Sequence, residues 1–217
     1  MADLRELLGL SPVLPVVTID DAGAAVDVAM ALAAGGIRVA EVTLRTAAGL
    51  AAIERIAKRL SDFSVGAGTV TTSAELAAAA QAGAAFAVSP GTTRELLEAG
   101  ASSAIPYLPA IATASELMRA ADYGHESLKF FPAEAAGGVA ALEALAGPFP
   151  ATRFCPTGGI TEETAASYLA CRNVFCVGGS WLTPRAAIAA RDWAGITRAA
   201  ERAVALRAPK RGGGGDR

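Results

Sequence analysis

Apolar and polar residues follow one another along most of the chain in a single repeating unit. A short apolar run rich in β-branched residues leads into a loop, and an alanine-rich stretch with apolar positions at helical spacing follows. The unit recurs at intervals of about 20–25 residues. The apolar run is typical of a buried strand and the alanine-rich stretch of an amphipathic helix, so the pattern predicts alternating strands and helices.

Eight such units are present. The predicted strands cover 13–18, 37–43, 63–68, 85–89, 103–108, 127–132, 152–157 and 173–178. The predicted helices cover 21–34, 47–60, 73–82, 93–100, 113–122, 136–146, 162–170 and 192–207. Strands that alternate with helices favour a parallel sheet with the helices outside it.

The predicted fold is α/β, a single (β/α)8 TIM barrel over residues 1–207 with a short N-terminal helix at 3–9. A doubly wound open sheet is the alternative, but no GxGxxG segment follows the first predicted strand. Residues 208–217, "APKRGGGGDR", lack apolar periodicity and are predicted to form a flexible C-terminal tail.

Composition and charge narrow the function classes. The chain is 53% hydrophobic and 18% charged, as a folded globular domain is, and its net charge of −2 gives no reason to expect a nucleic acid or a membrane as partner. The N-terminus does not resemble a signal peptide, and no apolar run reaches the length of about 20 residues that a membrane span needs. We therefore expect a soluble, cytoplasmic protein.

The three cysteines, Cys155, Cys171 and Cys176, are odd in number and lack the spacing of metal ligands. In a cytoplasmic protein they are expected to be reduced, buried thiols. The sequence predicts no metal site.

The segment "SLKFFPAE" (127–134) places Lys129 inside an apolar run. Since side chains alternate between the two faces of a strand, Lys129 points into the barrel if Leu128 and Phe130 pack against the helices, and Glu41 points inward by the same argument. A lysine at the mouth of a barrel can act as a nucleophile, because partial desolvation and nearby cations favour the neutral amine. A structural ion pair between Lys129 and Glu41 is the alternative, and these two residues alone leave both interpretations open.

Further polar and glycine positions at the strand ends indicate a ligand with two anionic groups. Arg45 follows Glu41 closely, and a guanidinium can grip a carboxylate with two hydrogen bonds. Glycine pairs in "PTGGIT" (156–161) and "VGGSWL" (177–182) follow the last two strands, where barrels frequently bind phosphate. The sequence therefore predicts a small substrate with a carboxylate at one end and a phosphate at the other.

Taken together, these segments resemble one known family. The motifs "EVTLRT", "VGAGTV", "SPG", "KFFPAE", "RFCPTGGI" and "GGSWL" occur in the order and spacing of the 2-keto-3-deoxy-6-phosphogluconate (KDPG) aldolase / 4-hydroxy-2-oxoglutarate aldolase family, over roughly residues 10–205. The resemblance implies a class I aldolase on a (β/α)8 barrel that needs no metal or other cofactor and forms a homotrimer. It also implies cleavage of KDPG to pyruvate and glyceraldehyde 3-phosphate in the Entner–Doudoroff pathway.

The same resemblance implies a role for each candidate residue. Lys129 looks like the Schiff-base nucleophile and Glu41 like the general acid and base. The positions that match the pyruvate carboxylate contacts and the pocket lining are Arg45, Thr69, Pro90 and Phe131. The positions that resemble the phosphate-binding loops are Gly158, Gly159, Gly179 and Ser180.

Some features leave alternatives open. Ala110 stands where the family is expected to have glycine, which bears on substrate preference among KDPG, its galactonate analogue, 4-hydroxy-2-oxoglutarate and oxaloacetate. A phosphosugar isomerase or epimerase on the same barrel, or a barrel that binds a phosphorylated ligand without turnover, would keep the phosphate loops. The single histidine, His125, is expected in a surface loop, and Glu134 is assigned no chemistry.

Overall fold

The computed structural model of the protein describes residues 4–206. The predicted tail over 208–217 lies outside the described residues. Among the described residues, no helix combines the length and the apolar character needed to cross a bilayer.

The strands pair in parallel throughout. They are β1 (Val13–Val17), β2 (Val39–Thr43), β3 (Ser64–Gly68), β4 (Ala87–Val88), β5 (Tyr107–Leu108), β6 (Ala110–Ile111), β7 (Ser127–Phe130), β8 (Arg153–Pro156) and β9 (Val177–Gly179). One sheet has the order β5-β4-β3-β2-β1-β9, and a second has the order β6-β7-β8.

Helices occupy most of the chain between the strands. They are α1 (Leu4–Leu8), α2 (Ala25–Ala34), α3 (Gly49–Arg59), α4 (Ser73–Gln81), α5 (Arg94–Ala101), α6 (Ala114–Asp122), α7 (Gly138–Ala146), α8 (Ala165–Leu169), α9 (Arg185–Ala189) and α10 (Trp193–Ala205), with a 3-10 turn at Ala22–Ala24. Each of the eight predicted helices overlaps an observed one, and the short helix before the first strand is present as α1. The α9 segment was not predicted.

The two sheets are connected along the chain and through isolated bridges. The chain leaves the first sheet at Leu108 and enters the second at Ala110, and the parallel bridge between Thr157 and Gly178 links the β8 side of the second sheet to β9. The molecule is thus an α/β protein with a curled parallel sheet, which confirms the predicted class. A fully closed eight-stranded barrel stays a prediction at this point.

The fifth predicted strand, 103–108, is wrong in its extent. Two strands of two residues each, β5 and β6, are found instead, with Pro109 between them. Proline has no N–H to donate to a neighbouring strand, so Pro106 and Pro109 restrict regular pairing to the residues around them. The carbonyl of Pro109 still accepts a hydrogen bond from the N–H of Lys129, and this keeps the segment beside β7.

Local caps begin several helices directly after the loops at the strand ends. The Thr72 hydroxyl accepts from the N–H of Glu75, whose carboxylate accepts from the N–H of Thr72, and Thr113 and Glu116 repeat this capping box at α6. Such reciprocal bonds satisfy donors that the first turn of a helix would leave unpaired. They set the point at which each loop ends.

The interior below the strand ends is filled by aromatic and aliphatic side chains. Gly66 lies opposite Glu41 in the register of β2 and β3, and a Cβ at Gly66 would overlap the buried ring of Phe86. The ring therefore occupies the space that a side chain on β3 would otherwise take. Phe86 closes the interior beneath the polar end of the sheet.

We expect Phe86→Ala to lower the free energy of unfolding by about 3–5 kcal/mol, because it removes a fully buried ring and leaves a cavity. Urea unfolding followed by circular dichroism measures the change. Met30→Ala, at a side chain that is 54% exposed, is the control and should change the value by less than about 0.5 kcal/mol. Equal effects of the two substitutions would contradict this account of the interior.

Candidate active site

Strands β2 and β7 bring one carboxylate and one amine together across the interior. Lys129 Nζ lies 3.4 Å from Oε1 and 3.5 Å from Oε2 of Glu41, and the two residues are 4% and 1% exposed. The inward orientation predicted from strand alternation is confirmed for both side chains. Because charges this deeply buried are costly unless paired, each side chain depends on the other.

The carboxylate of Glu41 lies over Gly68. A Cβ at that position would overlap Oε1 of Glu41, so only glycine leaves room for the carboxylate. Gly68 is paired with Thr43 in the register of β2 and β3, one layer closer to the strand ends than Glu41. The "GAG" segment of β3 thus makes space for Phe86 at its first glycine and for Glu41 at its second.

Phe131 forms an apolar wall beside the amine. Lys129 Nζ lies 5.3 Å from the centroid of the Phe131 ring, and the other edge of the ring is close to Gly158. An ammonium over an aromatic face is attracted by the ring, while the ring also excludes water from that side. Phe131 therefore joins the lysine to the loop after β8.

Arg45 and Thr69 lie together at the open end of the site. The Nε of Arg45 donates to Oγ1 of Thr69 at 3.2 Å, and Thr69 adopts a left-handed backbone conformation with φ of 60°. The guanidinium is exposed, as a group that meets a ligand from solvent must be. The threonine hydroxyl orients it.

The two glycine pairs lie on adjoining loops. Gly158 and Gly159 have φ of 102° and 82°, a region that favours glycine, and they follow β8. Gly179, at the end of β9, packs so closely under the ring of Trp181 that a Cβ there would overlap it. The Thr157–Gly178 bridge holds the two loops side by side.

Pro90 follows β4 and Ser180 follows β9, at the same end of the sheet. Pro90 follows the buried Ser89 after β4 and is partly exposed, and Ser180 is exposed after β9. Among the hydrogen bonds and ion pairs of residues 4–206, neither side chain contacts Lys129 or Glu41. The structure thus brings together the amine, the carboxylate and Phe131, with the remaining candidates around the rim.

Sequence reasoning missed one neighbour of the amine, Cys155, and singled out another, Ala110, without placing it beside the amine. Ala110 and Cys155 are the partners of Lys129 on the two flanking strands, and partners in a parallel register face the same way, so both point inward beside it. Strand alternation could have identified Cys155, whereas Pro109 hides the register of Ala110. The methyl of Ala110 therefore belongs to the site and is not merely a loop substitution.

The cysteines are free and buried, as predicted. Burial raises the pKa of the Cys176 thiol, and the neighbouring Cys155 and the negative charge of Glu41 raise it further. A thiol in this state stays protonated at neutral pH. The Cys176 thiol therefore adds no second negative charge beside Glu41, whose ionic partner is Lys129.

His125 is remote from this constellation. Its ring lies in the loop before β7, half-buried with its edge toward Tyr107, and burial lowers its pKa. Within residues 4–206, no group of three or more histidine, cysteine, aspartate or glutamate side chains is arranged to hold a metal ion.

The chain was compared with known families and structures. The model of the KDPG and KHG aldolase family matches residues 4–199. The chain belongs to this family.

Relatives at the level of sequence cover nearly its whole length. The chain is 52% identical over 201 residues to the 2-dehydro-3-deoxy-phosphogluconate aldolase of Pseudoalteromonas atlantica, which covers 93% of this chain and 94% of the relative. It is also 52% identical to the KHG/KDPG aldolase of Escherichia coli K12 over 92% of this chain and 94% of that protein. The resemblance inferred from the motifs is confirmed.

Solved structures of the family have the same backbone arrangement. The KDPG aldolase of Legionella pneumophila, determined with pyruvate captured at low pH as a covalent carbinolamine intermediate, gives a TM-score of 0.92 at 45% identity and covers 94% of this chain and 98% of its own. The Zymomonas mobilis enzyme with 3-phosphoglycerate gives 0.90 at 44% identity over 95% of this chain and 97% of its own.

The packing of Glu41 over Gly68 predicts the effect of one methyl group. Gly68→Ala should lower the free energy of unfolding by about 1–3 kcal/mol, because the new Cβ must displace the carboxylate from its buried partner. Thermal unfolding measures the loss. The control is Gly147→Ala, where the nearest atom to a new Cβ is 3.9 Å away and stability should be unchanged or slightly higher. Two equally stable variants would contradict the close fit at Gly68.

Proposed function

We propose that the chain is a class I aldolase that cleaves KDPG to pyruvate and D-glyceraldehyde 3-phosphate, and 4-hydroxy-2-oxoglutarate (KHG) to pyruvate and glyoxylate. The observation that carries the proposal is the buried pair of Lys129 and Glu41, with Nζ 3.4 Å from the carboxylate at the end of a parallel sheet. The names of the relatives, some for KDPG alone and others for both substrates, support the two activities.

Lys129 is the nucleophile. Transfer of one proton from its ammonium to Glu41 across the short gap leaves a neutral amine and a carboxylic acid, which are the forms that the first step needs. The amine attacks the C2 ketone to form a carbinolamine, and Glu41 gives a proton to the departing hydroxyl, so that water leaves and a protonated imine remains. The Legionella relative captured with pyruvate as a carbinolamine supports this step.

Glu41 then acts as the base for carbon–carbon cleavage. It takes the proton of the C4 hydroxyl, the C3–C4 electron pair moves into the iminium, and the aldehyde leaves while an enamine stays on Lys129. Protonation of the enamine at C3 and hydrolysis of the imine release pyruvate and return the amine. One carboxylate within reach of one nitrogen can serve every proton transfer in turn.

Arg45 binds the carboxylate of the 2-oxo acid. Its guanidinium is oriented by Thr69 and exposed toward solvent, so a bidentate pair can form and turn the ketone toward the amine. Pro90 and Phe131 line the pocket between Arg45 and Lys129. Phe131 also keeps water away from the imine, since its ring covers one side of the lysine.

The phosphate end of KDPG is bound by Gly158, Gly159, Gly179 and Ser180. Gly158 and Gly159 have positive φ and are at least partly exposed, so their backbone N–H groups can meet an anion. Gly179 packs under the Trp181 ring on the adjoining loop, and the exposed Ser180 adds a hydroxyl donor. The adjoining loops after β8 and β9 support a single site. KHG carries a carboxylate in place of the phosphorylated tail and would use this site less.

The finer architecture belongs to the same proposal. The crossing of the chain at Pro109 and the Thr157–Gly178 bridge support closure of the two sheets into one (β/α)8 barrel. Membership of the family supports trimeric assembly and a cytoplasmic, Entner–Doudoroff role as parts of this proposal, and a metal is not required by the steps above.

Borohydride trapping tests the nucleophile. Reduction in the presence of pyruvate should leave a stable pyruvyl adduct on the peptide that contains Lys129, detected by mass spectrometry, and Lys129→Ala should give no adduct. Lys58→Ala is the control: Lys58 is an exposed lysine paired with Glu54, and this variant should be trapped like the wild type. An adduct that persists in Lys129→Ala would refute the assignment.

The two ends of the substrate can be tested separately by kinetics. Loss of a charged hydrogen bond is worth about 1.5–3 kcal/mol, so Arg45→Ala should raise KM for KDPG and for KHG alike by about 10- to 100-fold. Ser180→Ala should raise KM for KDPG alone. If Ser180→Ala affects both substrates equally, the phosphate site is elsewhere.

A further inference from the structure

Tyr168 and Glu134 form a hydrogen bond beside the proposed phosphate site, and neither has a role in the steps above. Tyr168, on α8, is 1% exposed, and its hydroxyl donates to Oε1 of Glu134 at 2.6 Å. Burial raises the pKa of Tyr168 and the Glu134 carboxylate raises it further. The phenol therefore stays protonated and remains a donor at neutral pH.

The side chain held by this bond supports the glycine turn. A Cβ at Gly159 would lie 2.6 Å from Cγ of Glu134, so the side chain of Glu134 fills the space that the glycine leaves. The N–H of Glu134 donates to the carbonyl of Gly158 at 3.1 Å. Glu134 thus holds the turn by its backbone at Gly158 and by its side chain at Gly159.

The Gly158–Gly159 turn also contacts the Phe131 ring, which lies beside Lys129. A Cβ at Gly158 would lie 3.1 Å from the ring of Phe131, and the centroid of that ring is 5.3 Å from Lys129 Nζ. Continuous packing therefore runs from α8 through Glu134 and the glycine turn to the apolar side of the amine. Tyr168 is the buried end of this series of contacts.

We propose that Tyr168 and Glu134 are positioning residues that hold the Gly158–Gly159 turn in its phosphate-binding conformation. The inference rests on the proposed function, because it needs the phosphate of KDPG to bind at this turn. Two glycines with positive φ have more conformational freedom than other residues, and the N–H groups of a turn bind an anion well only if the turn is ordered beforehand. The buried tyrosine orders it through a half-exposed glutamate.

The decisive experiment compares substrates with and without phosphate. Tyr168→Phe removes one hydroxyl and should raise KM for KDPG by about 3- to 10-fold, the loss expected for one hydrogen bond. The KM for KHG should stay within about twofold of the wild type, as should kcat and the pyruvate concentration for half-maximal borohydride trapping. A purely structural role would move the values for phosphorylated and unphosphorylated ligands together.

The chain offers a matched control. Tyr123 also donates to a glutamate, Glu98, at 3.2 Å, but on the outer helices. Tyr123→Phe makes the same chemical change in the same kind of bond, and both KM values should be unchanged.

Substitutions at the acceptor test whether the two residues act together. Glu134→Gln keeps a carbonyl oxygen for the tyrosine and the same side-chain length, and its KM for KDPG should remain near that of the wild type. Glu134→Ala removes both the acceptor and the support for Gly159 and should raise KM for KDPG at least as much as Tyr168→Phe. Combining Glu134→Ala with Tyr168→Phe should add nothing more, since both act through one contact.

Each outcome of these experiments supports or overturns a stated part of the inference. A rise confined to KDPG supports the inference, while an equal rise for KDPG and KHG, or no change in either, overturns it. Additive effects in the double variant overturn the shared mechanism. If the wild type is trapped with pyruvate but Ser180→Ala leaves the KM for KDPG unchanged, the phosphate site itself is overturned. If the wild type neither is trapped nor cleaves KDPG, the proposed function is overturned.

Discussion

The contact between the Lys129 ammonium and the Glu41 carboxylate is the constraint around which the site is arranged. Both groups are almost fully removed from water, so either one alone would be an unpaired charge in the interior. The surrounding positions satisfy this constraint: Gly68 leaves room for the carboxylate, and Phe131 covers the amine. The two charged groups stabilise each other, and transfer of a single proton converts them into a neutral amine and a carboxylic acid. Such a pair suits a reaction in which a proton moves at each step.

The Lys129–Glu41 pair is buried, whereas the rim of the site is exposed. Arg45 follows β2 and Ser180 follows β9, and both are exposed at the strand ends, where the proposed function assigns them to the two anionic ends of the substrate. The rigid part of the site is on strands and the adaptable part on loops. This division is common where a scaffold supports catalysis at the ends of parallel strands.

The structure also explains residues of the sequence motifs that the proposed chemistry does not use. Within "KFFPAE", the lysine reacts under the proposed mechanism, the phenylalanine after Phe130 forms the wall, and Glu134 reaches back to the glycine turn of "PTGGIT". Two segments that are separate in sequence thus form one packed unit. Under the proposed function, the motif connects the two ends of the substrate site and also carries the nucleophile.

Much of the fold and the centre of the site could be predicted from the sequence because they depend on local geometry. Alternation along a strand turns Lys129 and Glu41 inward when the residues beside them pack against the helices, and helical periodicity with threonine caps indicates where the helices begin. The missed break at Pro109 was also a local signal, since proline cannot donate to a ladder.

Contacts between distant segments were decided by the tertiary structure. Lys129 and Glu41 are 88 residues apart, and Tyr168 and Glu134 are 34 apart. Their distances depend on how far the sheets curl and how closely the helices pack, which no local pattern specifies. The sequence by itself therefore determined which residues face the interior and which family the chain resembles. Only the folded chain decided that the amine meets both carboxylate oxygens and that a buried tyrosine holds the glutamate beside the glycine turn.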